Sequence, residues 1–517
     1  MAMTKRILAL VAAIAALAST ALFLPNFELQ IGDAPRSPKL SVAAQDLNLI
    51  CPGAAIGSGG ANGTSVGTFT RLGAASVIGT VAAGAETFEQ RYLADGYYDS
   101  YSGQVFSTVS SAGTVFATKG GSVEQGSTMV NIAQVQKAAS ARLNGLLAAS
   151  CQAPSPENWL VGGSAATGRE TLLLLANPSP VDVTVSLEVF SEGGPVQAAG
   201  LSGISIAAGA ATVVPLSSLI PETRTFAIHV VSSSGAVAAW LQQRTVRGLL
   251  YAGADFISPS TVFSKSLVIP GVLIRGAADA AALIAANRDY SDLTPVLRVF
   301  NPTDSKTTFT VQINGATEKT YGTVLHESVS AHTVQDFEIP ALANGDYSAF
   351  ISADQNITAS IRLVRTDKTK KPNTDFTWLH AAETFTSSRQ LTVPAAGISK
   401  LTIANSGSKP ASVTVNGVTY SIAASLMVVL KVDNGKTVNI GGSKTASVYT
   451  DKANYTGSGG NNSTSGKFGG AGATELPAGA YDIAVFDNRF PALSLAAAAP
   501  PDSIVPTAPA QGKCEVV

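Results

Sequence analysis

The sequence predicts an all-β fold: tandem immunoglobulin-like β-sandwich modules after an N-terminal membrane helix, with a β-propeller-like arrangement as the alternative. Three observations predict it. A strand–turn–strand phrase occurs three times, as LLLANPSP from Leu173, LRVFNPTD from Leu297 and LTIANSGS from Leu401. Apolar residues make up 45% of the chain and charged residues only 13%, which suits many half-buried strands and does not suit disorder. An uncharged run from Ile7 to Leu24 follows Lys5 and Arg6 and ends at Pro25.

That first run reads as an export segment, with its basic end inside and all later residues outside. Residues 1–25 are assigned as a signal anchor or signal peptide. Ala16 and Ala18 supply a small-residue cleavage pattern, so a secreted product is the alternative to a single-pass protein of the cell membrane. Residues 26–45, with Pro35 and Pro38, form a spacer.

The repeats are aligned on Asn177, Asn301 and Asn405. Two and four positions before the Asn stand Leu175 and Leu173, Val299 and Leu297, Ile403 and Leu401. Eight and ten positions after it stand Val185 and Leu187, Phe309 and Val311, Val413 and Val415. A spacing of two puts side chains on one face of a strand, so each copy is two strands joined as a hairpin or a sheet-to-sheet arch. Asn suits the turn because its side chain can bond the backbone two residues on, and Pro178 and Pro302 fix the next dihedral. Further strand phrases, LICPG from Leu49, WLVGG from Trp159, LVIPG from Leu267 and LTVPAAG from Leu391, recur at near-regular intervals. The predicted modules are therefore 46–157, 158–265, 266–388 and a short 389–490, with 491–517 a disordered tail. The first module also carries a predicted helix from Asn131 to Ser150, with Ile132, Val135, Ala139, Leu143 and Leu146 or Leu147 along one stripe.

Cysteines stand at 51, 151 and 514. A Cys51–Cys151 disulfide, permitted in an exported chain, stabilises by roughly 3 to 5 kcal/mol. Cys514 is the alternative partner of either, and an odd count leaves one thiol over. Lys and Arg number 34 against 35 Asp and Glu, so no overall field attracts nucleic acid.

Chemical motifs are sparse. GTSVG at 63–67 has the G-x-S-x-G pattern but lacks the strand before it and the helix after it that a nucleophile elbow needs. His326, Glu327, His332 and Asp336 lie in a strand-and-turn pattern without the spacing of a metal site, and neither a metal nor a cofactor is expected. His229 and His380 read as structural. Tyr92, Tyr97, Tyr98 and Tyr101 are the binding candidates, since tyrosine offers flat apolar area with a hydroxyl for sugar rings or a partner protein; they equally suit local packing. RLVRTDKTKK, with Arg362, Arg365, Lys368, Lys370 and Lys371, reads as a solvated hairpin tip, or else as a contact for an anionic wall polymer.

The export segment, the ANPSP and FNPTD arches and the VIPG strand together resemble an actinobacterial family of single-pass exported proteins of unknown function. The resemblance implies a cell-envelope role, since such proteins are commonly encoded near a membrane glycosyltransferase. The expected function is a non-catalytic envelope scaffold or binding protein supporting surface glycan assembly. Its expected partners are the membrane, through the N-terminal helix, and an envelope glycosyltransferase or cell-wall glycan. An envelope enzyme acting on glycans or peptides and an adhesin or surface structural protein are the alternatives.

Overall fold

A computed structural model describes residues 47–58, 69–81, 87–93, 98–102, 105–118, 130–140, 142–316, 322–366, 372–382, 384, 389–393, 399–433, 436–441, 446–451, 490–492 and 514–516. The export segment, the spacer and most of the tail lie outside them. Among the described residues no helix is long and apolar enough to cross a membrane. The fold is all-β with few exceptions.

The strands group along the chain into four pairs of antiparallel sheets, or modules, the first with an added two-stranded ribbon, Ile56–Ser58 with Phe69–Arg71, and one strand order recurs. The second module runs through Glu157–Val161, Arg169–Ala176, Val183–Ser191, Ile204–Ile206, Ala211–Pro215, Phe226–Ser232, Ala238–Arg247 and Leu250–Ile257. Numbered one to eight, these strands build one sheet in the order 1-6-3-4 and another in the order 5-2-7-8. The first module, from Leu47–Cys51 to Leu143–Ser150, repeats both orders. In the third, a single strand, Gly345–Thr366, serves as both sixth and seventh and so spans the two sheets. The fourth shows the first seven strands among the described residues, from Arg389–Thr392 to Ala446–Asp451.

The two-sheet form stands, but the strand order is not that of an immunoglobulin domain. There the first strand lies beside the second and the last beside the sixth. Here the first pairs with the sixth, Trp159 opposite His229, and the seventh with the second, Leu173 opposite Leu241. The fourth module keeps the same pairing with seven described strands, so the exchange does not depend on the eighth strand. In the second module a tight hairpin at Gly248 ties the eighth strand to the seventh, and the pair extends the second strand's sheet.

The repeated Asn residues build arches between sheets. Asn177 Oδ1 accepts from Ser179 N at 2.9 Å, and its Nδ2 donates to Val181, Ile206 and Ala207 carbonyls. Asn301 does the same with Thr303, Ser305, Val329 and Ser330, and Asn405 with Gly407, Lys409, Ile422 and Ala423. All three are fully buried. One side chain thereby fixes the turn and pins the far end of the neighbouring strand.

The helix predicted over 131–150 is instead a β-hairpin, Val130–Ser140 with Leu143–Ser150. Both of its faces are covered. Ile132 enters the first module's core, Leu147 the contact with the second module, and Ala133 the core of the fourth. A doubly buried strand loses its polar alternation, and alanines at its remaining positions imitate a helical stripe. The α-helix longer than one turn among the described residues is Ala277–Ala286, an insertion in the third module whose alanines favour helix and whose Leu283 and Ile284 lie on the second module's core.

The cores cross the module boundaries. Val364, Phe376 and Trp378 of the third module complete the core of the second. Trp240, Leu172 and Phe256 of the second pack on Ile50 and Leu147 of the first, and Val268 of the third meets Ala404 and Met427 of the fourth. The eighth strands of the first three modules converge: an added Cβ on Gly145 would stand 2.7 Å from Ala254 N, and Thr377 Oγ1 donates to Asp255 Oδ2 at 2.9 Å. Such a gathering of sheet edges is propeller-like, although each unit carries a second sheet that a blade lacks. Cys51 and Cys151 form a disulfide within the first module. Residues 47–451 fall within one compact unit.

Candidate functional site: a charged junction between modules

The third module's insertion runs from its helix into a 3-10 turn, Arg288–Leu293, begun by Asn287, whose side chain accepts from Asp289 N. Leu293 is buried in the second module's core, which sets Asp292 at the junction. Three guanidiniums reach its carboxylate. Arg247, at the end of the second module's seventh strand, donates from Nη2 to both oxygens at 2.6 Å. Arg169, at the start of the second strand, lies 2.7 Å away through Nη2. Arg362 of the third module lies 3.2 Å away and also donates to the Asp292 carbonyl at 2.9 Å. Burial alone would raise the Asp292 pKa, but Arg362, Arg169 and Arg247 outweigh it and hold the carboxyl below the ordinary range. Arg169 is pushed down to about 10, first by burial and then by Arg362, with Asp292 pulling the other way.

Arg298, fully enclosed, forks Asp336 at 2.7 and 2.9 Å. Its Nη1 crosses to the second module and donates to the carbonyls of Gly163 at 2.7 Å and Phe226 at 3.3 Å, and the guanidinium lies 4.6 Å from the Trp378 ring. Asp375 accepts N–H bonds from Leu146 of the first module, Ala254 of the second and its own neighbour Phe376. Burial pushes its carboxyl up to about 7 against those donors. His380, on the same strand, is pushed down to about 3 by burial, and neither ring nitrogen has a hydrogen-bond partner. It is a neutral imidazole at neutral pH.

Of the tyrosine candidates, Tyr92 is half-buried in strand Thr87–Tyr92, Tyr98 and Tyr101 fall in strand Tyr98–Ser102, and Tyr97 lies outside the described residues. The candidate metal residues separate: His326 contacts Thr310, His332 pairs with Asp304, and Asp336 belongs to Arg298. No group of metal-binding side chains occurs among the described residues. The reading of Arg362 and Arg365 as a solvated tip is corrected, since both are buried; Lys368, Lys370 and Lys371 lie outside the described residues. The GTSVG loop also lies outside them. Sequence reasoning missed Arg169, Arg247, Asp292 and the Arg298–Asp336 pair. The available signals were the arginine inside the apolar phrase LRVF and the extra length between LVIPG and that phrase.

A cleft of about 430 Å³ opens in the fourth module, lined by Val415, Tyr420, Leu430 and Val438 with Lys431, Asp433 and Lys436 at its polar side. The junction itself can hold charge and lock modules together. The profile of a family of unknown function (DUF5719) matches residues 105–442, more than half of the chain and the whole of the charged junction. The chain belongs to this family. No curated protein matches the sequence.

Proposed function

We propose that this member of the family is a non-catalytic scaffold or binding protein of the cell envelope. In this reading residues 7–24 anchor it in the membrane, the modules stand outside, and its partner is an envelope glycosyltransferase or a wall glycan in surface glycan assembly. The observation that carries the reading is Arg298. An arginine is enclosed at a module boundary beside its partly exposed carboxylate partner, and the guanidinium's remaining donors tie third-module strand to second-module carbonyls. Buried charge used this way favours one fixed arrangement of modules, which suits presentation of surfaces to partners.

Crosslinking in intact cells, followed by identification of the attached proteins, tests the proposal. Recovery of a membrane glycosyltransferase or of wall glycan is expected. Recovery of self-multimers alone, or of cytoplasmic proteins, overturns it.

A further inference from the structure

Charge at the second-to-third module junction is unequally matched. Arg298 has Asp336, and Arg244 has Glu170. Among the described residues Arg169, Arg247 and Arg362 share Asp292 alone as ion-pair partner, a surplus of two positive charges in a largely enclosed place. The next carboxylate, Asp336, is already forked by Arg298. Arg362 is 7% exposed and its buried Nε–H has no acceptor. A buried donor without an acceptor and an unneutralised charge each cost free energy, so this arrangement is complete only with a counter-anion.

We propose that Arg169, Arg247 and Arg362 form a binding site for a phosphate monoester. Its charge at neutral pH, about −1.5 to −2, matches the surplus, whereas a carboxylate or phosphodiester would neutralise half of it. Arg247 spends its nitrogens on the Asp289 carbonyl, Thr374 Oγ1 and Asp292 and so contributes charge, while Arg169 and the Nε–H of Arg362 are left to bond the phosphate oxygens. The anion enters beside Arg169, whose side chain is the most exposed of the three at 19%. Asp292 stays ionised under the guanidiniums and holds them in place, and the acid itself is delivered by the helical insertion of the third module. Insertions in one repeat of an array are common places for a binding function. Only the origin of the phosphate, on a sugar or on free phosphate near the envelope, rests on the function proposed above.

Calorimetric titration of the purified full chain with inorganic phosphate, with a hexose phosphate and with acetate, at fixed ionic strength, tests the site. Saturable binding of a phosphate is expected, with acetate at least about tenfold weaker. Tighter binding of the hexose phosphate than of inorganic phosphate assigns the sugar ester as the source; equal binding assigns free phosphate. Arg169→Gln is expected to weaken binding at least about tenfold, and Arg169→Lys, which keeps the charge but loses the fork, by an intermediate factor. Circular dichroism checks that each variant folds; should Arg169→Gln not fold, the intermediate loss in Arg169→Lys decides. Absence of saturable binding up to about 10 mM, or equal affinity in the wild type and a folded Arg169 variant, overturns the proposal. That failure would leave the crosslinking result untouched, so the two readings fail separately.

Discussion

Asn301 makes five bonds in a place closed to water: three from Nδ2 to carbonyls and two to Oδ1 from Thr303. Asn301→Ala strands those carbonyls and one N–H, and about 3 kcal/mol of stability is expected to go in urea unfolding. Asn301→Asp keeps the turn acceptor but turns a carboxylate toward three carbonyl oxygens, so it should cost at least as much. A milder effect of Asp than of Ala would show that the amide N–H bonds are not what matters. The sequence made the turn legible because Asn and its acceptor are two residues apart. It could not show the bonds to Val329 and Ser330, which depend on where the sheets meet. Asp375 and His380 act at the same scale with opposite signs. The Asp375 pKa is raised in the fold, so its contribution is full below the unfolded value near 4 and is lost as pH rises toward 7. The His380 pKa is lowered, so its contribution is full above about 6.5 and is lost as pH falls toward 3. Between about pH 4 and 6.5 the two slopes, each near 1.4 kcal/mol per unit, oppose each other. Asp375→Asn should therefore make the melting temperature fall more steeply on acidification than in the wild type, and His380→Phe should make it fall less or rise.

Strand pairs account for what was and was not legible at the next scale up. The strand after each arch was visible because one face meets a core and the other does not, whereas the strand before it is buried on both faces and was visible as an apolar run closed by the Asn turn. Hairpin 130–150 was misread because it touches three modules and is buried on both sides. Arg362 and Arg365 were misread for a related reason: they lie in the second half of strand Gly345–Thr366, which is buried at every residue from Ile357 to Thr366, and a charged residue on such a stretch signals a junction instead of a solvated tip. Close contact between eighth strands can be tested at Gly145, whose φ is +145° and whose added Cβ would stand 2.7 Å from Ala254 N and 2.9 Å from Asp375 Oδ1. Gly145→Ala should destabilise by about 2 to 4 kcal/mol in thermal unfolding. Gly209→Ala is the control, because that glycine also has a positive φ, +64°, but nothing within 4 Å of the added carbon. It should cost only about 1 kcal/mol. Equal losses at the two positions would mean that backbone conformation, and not the approach of the first module to the second, sets the effect at Gly145.

Across the whole molecule, the repeat in the sequence suggests independent units, whereas the packing joins them. Trp378 of the third module sits in the second module's core, and Trp240 of the second sits in the contact with the first. Removing a neighbour would open a core, not merely a surface, so a module cannot lose its structure without stripping apolar contacts from the next. The chain's three tryptophans, Trp159, Trp240 and Trp378, make this measurable. One variant that keeps Trp240 alone and another that keeps Trp378 alone, with phenylalanine at the other two positions, report on the first-to-second and second-to-third contacts separately. Once each variant's own stability loss is corrected by circular dichroism, fluorescence should give one urea midpoint for both, coincident with the loss of β-structure. The physical reason is that the free energy holding Asp375 between Leu146 and Ala254 belongs to three modules at once. Midpoints that stay apart, with a plateau between them, would instead describe modules that open one at a time.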